Sequence, residues 1–282
     1  MIAPTVNVDG NITEAAEASI PVLDRGFLYG DSVYEVFRTY RSVPLFLEDH
    51  FERLENSAQL IQMQISQTRE QLLEEIRRTA LKAGVSRDSD AYVRYQIPRG
   101  EGAVDLYPDP SLKTRYVIIV KALPSWNPLF YERGVNMAIP NVRRNPANAL
   151  DPNIKGGNYL NNIMGLTEAK EAGADDCIML NRDGFVTEAA NSNVWFLIRG
   201  RLVTPGSGNL KGLTKKHIHR ALSAAGMQSF EEDVHVNELL DASECFITSA
   251  TREVMPCVSL TLLSGERLEF PVGGGDVTRQ TR

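Results

Sequence analysis

The stretch Asp151-Pro-Asn-Ile-Lys155-Gly-Gly-Asn-Tyr159-Leu-Asn-Asn places one lysine directly before two glycines and just ahead of a helical segment. Glycines let a backbone approach another group closely. A lysine in such a crowded, partly desolvated turn can lose its proton and act as a nucleophile. The plain alternative is a solvated lysine in a Gly-Asn loop. A second stretch, Asp183-Gly184-Phe-Val-Thr-Glu188-Ala-Ala-Asn191-Ser192-Asn193-Val194-Trp195, ends a strand on a glutamate followed by small polar residues. A buried carboxylate needs a partner, and a cationic ring nitrogen would serve. An exposed strand-end glutamate would need none.

A third stretch, Asn209-Leu210-Lys211-Gly212-Leu213-Thr214, opens a helix. Its first backbone N–H groups suit a phosphate, although Thr214 could equally be an ordinary N-cap. A fourth, Thr248-Ser249-Ala250-Thr251-Arg252-Glu253, is a hydroxyl-rich turn after a strand. It could add phosphate donors or be an ordinary turn.

These segments need elements to position them. Asp9-Gly10 signals a hairpin turn. Residues 33–40 alternate as a strand, with 43–47 returning beside it. Phe51, Leu54, Ala58, Leu60 and Ile61 recur at helical spacing within 48–63. A second helix over 68–83 stops at Gly84. Strands follow at 92–98 and 116–123. Pro124-Ser-Trp-Asn-Pro128 is rich in turn formers and marks a linker. Beyond it the pattern predicts a strand at 135–139, an irregular segment over 141–153 and a helix over 158–172. Strands at 178–180 and 194–198 flank an Arg182-Asp183-Gly184 turn, a helix over 214–225 ends at Gly226, and late strands lie at 244–248 and 254–263. Strict βαβ alternation is lacking, so the expected class is α+β. The expected domains are 1–122 and 133–282, joined by a linker over 123–132.

A chain of 282 residues can bury the cores of two such domains. A net charge of −6 argues against nucleic acid as a partner, which needs a dense basic footprint. The run Lys215-Lys216-His217 is too short to supply one. Cys177, Cys245 and Cys257 form neither a regular framework nor a CxxC pair, and the histidines lack ligand spacing. No disulfide and no metal are expected. The N-terminus has no signal-peptide pattern, and no apolar stretch approaches the roughly 18 residues of a membrane span. A cytoplasmic protein without a membrane partner is the expectation.

Five ordered stretches together carry a resemblance: Tyr29-Gly30-Asp31-Ser32-Val33-Tyr34-Glu35, His50-Phe51-Glu52-Arg53-Leu54, Lys155 through Tyr159-Leu-Asn-Asn, Gly184 through Glu188 to Asn193, and Lys211-Gly-Leu-Thr214. They resemble the class IV, or fold-type IV, pyridoxal-phosphate aminotransferases. That group includes branched-chain aminotransferases, D-amino acid aminotransferases and aminodeoxychorismate lyases. The match spans roughly residues 20–260. It implies a two-domain α+β fold of the D-amino acid aminotransferase type, a homodimer in which N-terminal loops of one subunit close the other's pocket, and pyridoxal 5'-phosphate as cofactor. By resemblance Lys155 would hold the cofactor as a Schiff base and shuttle a proton. Glu188 would face the pyridine nitrogen. Tyr159 would bond the phenolic oxygen, and Leu210 would pack on the ring. Arg53 would pair with the phosphate. Leu213 and Thr214 would give it backbone N–H groups, helped by Ser249, Ala250 and Thr251. The chain departs from the family in having Trp195 and a Ser-Ala-Thr turn where branched-chain enzymes commonly have Gly-Thr-Ala. The span from Thr204 to Leu210 also looks about one residue short.

A transaminase must hold the substrate carboxylate, and arginine is the usual holder. Arg94 falls where the branched-chain enzymes carry theirs, and Arg99 where the D-amino acid enzymes do. Strand alternation would send the two to opposite faces, unless Pro98 interrupts the register. Tyr34 matches the carboxylate-side tyrosine of the D-enzymes, whereas Lys155-Gly-Gly-Asn-Tyr159 leans to the branched-chain group. The expected reaction is ping-pong transfer of an amino group between an amino acid and a 2-keto acid, with L-branched-chain substrates favoured. D-amino acid transamination, aminodeoxychorismate lyase activity and a non-catalytic ligand-binding fold-mate are the alternatives. Lys155 and Glu188 argue against the last, because a binding module has no need of a Schiff-base lysine.

Overall fold

A computed structural model describes residues 2–282 and divides into two compact units. The first runs to Pro124 and takes in Ile154–Asn158. The second comprises Ser125–Asn153 and Tyr159–Arg282. Both mix helices and strands without strict βαβ alternation, which is the expected α+β class, although the second unit holds two parallel strand–helix–strand crossovers, over 135–180 and 201–232.

In the first unit, strands β1 (Thr5–Val8) and β2 (Asn11–Glu14) are joined by Asp9-Gly10, whose φ values of 49° and 91° are the positive pair a tight hairpin needs. Helix α1 (Arg25–Tyr29) starts where the Asp24 side chain accepts from the Gly26 N–H. It is followed by β3 (Ser32–Tyr40), β4 (Val43–Pro44), α2 (Leu47–Leu60), α3 (Arg69–Lys82), β5 (Ala91–Pro98) and β6 (Val117–Ala122). Thr68 and Gln71 cap α3 reciprocally, as a capping box does. The strands form an antiparallel sheet in the order β2-β1-β6-β5-β3-β4. Phe51, Leu54 and Ala58 of α2 and Leu72 and Ile76 of α3 share one apolar cluster with Val33, Phe37, Val93, Tyr95 and Ile97 of the sheet. Leu60, placed on the apolar stripe by its spacing, is instead 43% exposed, because α2 ends there and the chain turns away.

The second unit contains α4 (Leu129–Glu132), β7 (Val135–Ala138), α5 (Leu160–Glu171), β8 (Asp176–Leu180), β9 (Val186–Ala189), β10 (Asn193–Ile198), β11 (Arg201–Pro205), α6 (Leu213–Ala224), β12 (Ser229–Glu232), β13 (Ala242–Ser249), β14 (Glu253–Thr261), β15 (Arg267–Glu269) and α7 (Asp276–Thr281). Its mixed sheet runs β12-β11-β10-β13-β14-β7-β8-β9, with β15 paired to β14. Strand β8 is buried throughout, which explains the apolar run from Cys177 to Leu180 that follows Asp176. Trp195 is also fully buried, stacked on Phe246 and donating its indole N–H to Thr248 Oγ1, so the family departure there is absorbed by the core. Glu244 is buried beside the C-terminal helix, where its carboxylate accepts from the Val277 and Thr278 N–H groups and the Thr278 hydroxyl.

Candidate active site

In the first unit, Lys155 sits on a short segment that docks along β3. The Tyr34 N–H donates to the Lys155 carbonyl (2.9 Å), Gly156 bridges Val33, and the Gly157 N–H donates to the Ser32 carbonyl (3.0 Å). A Cβ on Gly157 would lie 2.6 Å from Ser32 Oγ, so the second glycine is what allows the approach. The Lys155 Nζ reaches to 3.5 Å from the Tyr34 hydroxyl and 4.5 Å from its ring centroid.

Strand pairing sets Tyr34 opposite Gln96 and Val36 opposite Arg94. Tyr92, Arg94 and Gln96 therefore share one face of β5. The Arg94 guanidinium carbon is 3.6 Å from the Tyr34 ring centroid. Arg94 donates to Gln96 Oε1 (2.9 Å), and Gln96 donates in turn to Ser32 Oγ (2.9 Å). Burial pushes the Tyr92 hydroxyl above its ordinary range against the pull of the Arg94 charge.

Arg99 is elsewhere. The strand stops at Pro98, so alternation no longer governs it. Its guanidinium donates to Asp31 Oδ2 (2.7 Å) and to the carbonyls of Ile61 (2.9 Å) and Gln62 (3.2 Å). Asp31 also accepts from buried Arg25, whose other nitrogens donate to the carbonyls of Asp105 and Leu106. This arginine pair fastens loops.

On the other face of β3, Glu35 is fully buried and accepts from Arg53 through both oxygens (2.6 and 2.8 Å), with His50 Nδ1 at 2.7 Å. Burial alone would raise the Glu35 carboxyl. The Arg53 charge and hydrogen bonds from Arg53 and His50 outweigh it and hold the group down at about 2. Burial depresses His50 despite that carboxylate. An ionised carboxylate only accepts, so the neutral imidazole carries its hydrogen on Nδ1. Arg53 is therefore oriented from within the core.

In the second unit, Glu188 on β9 is 6% exposed. Its Oε1 accepts from Arg144 Nε (3.1 Å) and Nη2 (2.9 Å), and its Oε2 from the Leu210 N–H (3.1 Å). Arg144 also donates to Asn161 and Asn162. The Leu210 carbonyl accepts from Asn193 Nδ2 (2.9 Å). Sequence reasoning passed over Arg144, Tyr92 and Gln96. Only the Arg143-Arg144 pair in an otherwise irregular segment pointed to the first. Two-residue spacing from Arg94 could have found the others.

Tyr159 stands at the start of α5, half-buried. Leu213 and Thr214 are the first two residues of α6, and the cap position is Gly212, which offers no side-chain cap. The ordinary N-cap reading of Thr214 thus does not hold, since the cap lies two residues earlier and Thr214 is already inside the helix. A Cβ at Gly212 would fall 1.8 Å from Asn193 Oδ1. The Ser249-Ala250-Thr251 turn links β13 to β14. Its Ser249 hydroxyl accepts from the Arg252 N–H, Trp126 donates to the Thr251 carbonyl, and Arg252 pairs with Asp176. Three buried free cysteines and a helix set too short and polar to cross a membrane complete the described residues.

The donor sets fit pyridoxal phosphate. The first unit presents an amine beside a tyrosine. The second presents an oriented buried carboxylate for a ring nitrogen and a helix start without a side-chain cap, suited to a phosphate.

Sequence comparison agrees. Residues 32–260 match the family model for class IV amino-transferases, and the chain belongs to that family. It is a pyridoxal-phosphate-dependent aminotransferase. A putative branched-chain-amino-acid aminotransferase of Methanocaldococcus jannaschii is 32% identical, with 89% of this chain and 86% of the relative aligned. A D-alanine aminotransferase of Bacillus licheniformis is 30% identical over 89% of this chain and 87% of its own. Among solved structures, a T.th. branched-chain amino acid aminotransferase complexed with N-(5'-phosphopyridoxyl)-L-glutamate superposes with a TM-score of 0.86 at 26% identity, covering 99% of this chain and 91% of that one.

Proposed function

We propose that the enzyme moves an amino group between an L-branched-chain amino acid and a 2-keto acid by a ping-pong mechanism. The observation that carries this reading is the division of labour between two arginines. Arg94 lies against Tyr34 beside the Lys155 amine, whereas Arg99 is spent on Asp31 and two backbone carbonyls. A D-amino acid enzyme of this family would call on Arg99.

Pyridoxal phosphate, when bound, supplies the electron sink for breaking the substrate Cα–H bond. Lys155 carries the cofactor and moves the proton at Cα. Glu188 keeps a proton on the ring nitrogen, and its two hydrogen-bonded oxygens leave it little freedom to turn away. In the second unit Tyr159 would bond the phenolic oxygen, Leu210 would pack on the ring, and the N–H groups of Leu213 and Thr214 with the Ser249-Ala250-Thr251 turn would hold the phosphate. In the first unit Arg53 would supply a guanidinium for a phosphate. Arg94 and Tyr34 receive the substrate carboxylate, where a planar guanidinium matches two oxygens.

A homodimer accompanies this reading. Val22, Phe27, Val104 and Leu106 are 64–80% exposed, on two segments that the Arg25 side chain ties together. Apolar clusters of this kind mark association surfaces.

The test is the absorption spectrum of the purified protein after adding L-leucine and, separately, D-alanine. Bleaching of the cofactor band by L-leucine alone is expected. Bleaching by D-alanine alone would overturn the substrate assignment. A protein that shows no band with added pyridoxal phosphate would overturn the cofactor roles.

A further inference from the structure

Lys215 lies in the first turn of α6, yet its side chain is only 3% exposed. A cation in that turn opposes the helix macrodipole, and a buried ammonium is costly unless every proton finds an acceptor. All three find one. The Nζ donates to Asn209 Oδ1 (3.1 Å), to Glu231 Oε2 (3.0 Å) and, more distantly, to the Pro205 carbonyl (3.4 Å). Two of these acceptors belong to the segment that runs from the end of β11 to the start of α6.

Asn209 is buried as well, and its Nδ2 donates back to the carbonyls of Pro205 (2.9 Å) and Ser207 (2.8 Å). Its carboxamide thereby closes residues 205–209 into a compact loop, and Lys215 grips that loop from the helix. The next residue is Leu210, whose N–H donates to Glu188 Oε2. Arg144 holds the opposite oxygen of the same carboxylate. The orientation of Glu188 is thus set from two sides, by a guanidinium on one and by a loop peptide on the other.

We propose that Lys215 is a positioning residue: through Asn209 it fixes the loop so that the Leu210 N–H stays on Glu188. The proposal rests on the reading of Glu188 as partner of the cofactor ring nitrogen. Locally conflicting residues are kept where a site requires them, and a buried lysine against a helix dipole is such a conflict.

The test compares Lys215→Met, which keeps length and removes the donors, with Lys215→Arg, which keeps donors. Asn209→Ala serves as a second cut in the same link. Amide hydrogen exchange across residues 206–212 is measured with and without pyridoxal phosphate, beside the pH dependence of the cofactor's visible absorption. Lys215→Met and Asn209→Ala are expected to speed exchange in the loop by roughly tenfold or more, the scale of a lost buried charged hydrogen bond. Residues 216–224 of α6 keep their protection, the visible spectrum changes its pH response, and Lys215→Arg restores part of both. Wild-type-like exchange and spectrum in Asn209→Ala, or in a folded Lys215→Met, would overturn the proposal. A wild-type chain that takes up no cofactor would instead overturn the reading of Glu188, and the exchange in the cofactor-free protein would still decide the loop linkage.

Discussion

The guanidinium carbon of Arg94 lies 3.6 Å from the centroid of the Tyr34 ring. Cation and ring face each other across paired strands, and Gln96 fixes the guanidinium from the side. Such a pair is attractive in itself and leaves donors available to a carboxylate. Arg94→Ala should therefore raise KM by roughly ten- to a hundredfold, the scale of a lost charged hydrogen bond. Arg99→Ala should instead lower the melting temperature and leave KM near the parent's. Steady-state kinetics and thermal melts on both variants check this, and the opposite pattern would return the carboxylate to Arg99.

Glu35 links pH to stability. Its carboxyl is held at about 2 in the folded chain against an ordinary 4.5, so the unfolded state binds the proton more readily. The stabilisation is present above the unfolded value and is lost as pH falls from about 4.5 towards about 2. It is on the order of 3 kcal/mol. His50, also depressed, adds in the same direction at higher pH, because an imidazole buried neutral must charge on acidification. Glu35→Gln should be less stable at neutral pH by about 3–5 kcal/mol, since Arg53 is left without its carboxylate. It should also lose less on going to acid. Urea titrations across a pH series read both, and a variant as stable as the parent at neutral pH would contradict the assignment.

The three cysteines are buried, and burial, with the neighbouring Asp176 charge, pushes the Cys177 thiol up to about 12. Burial and then Cys257 hold Cys245 well above its usual range. The thiolate is the reactive form, so a chromogenic disulfide reagent at about pH 8 should label none of them in the native protein and all of them in denaturant. Rapid labelling of a folded, active sample would show that one thiol opens to solvent.

Glu244 anchors the C-terminal helix by accepting from two N–H groups and a hydroxyl. Glu244→Ala should cost about 1–3 kcal/mol and free α7 before the rest unfolds. Exchange or limited proteolysis confined to residues 276–282 is the expected outcome. Unchanged protection there would mean that packing alone holds the helix.

Long elements with a clear period could be read from the residues. Helices α2, α3 and α6 expose an amphipathic stripe, and Asp9-Gly10 and Gly84 mark a turn and a stop. Strands β12 and β15 could not, because short strands at the margin of the sheet, such as Ser229–Glu232, carry polar residues on both faces and leave no alternation. The chemistry-bearing motifs were legible by type and order. What they touch was not. Nothing in the spacing of Arg94 and Arg99 told which one would be consumed by Asp31, and nothing about Lys215 beside Lys216 announced that one would be buried and the other not.

The lysine-bearing segment, Ile154–Asn158, belongs to the first compact unit although its flanks on both sides belong to the second. The two halves of the gene are therefore not freely interchangeable at the boundary after Pro124. A chimera joined at Pro124 would lay a foreign amine along a native strand, against Val33 and Tyr34. Recombination between distant relatives must respect that graft, so these two stretches of sequence have to be exchanged as a pair even though much of the chain lies between them.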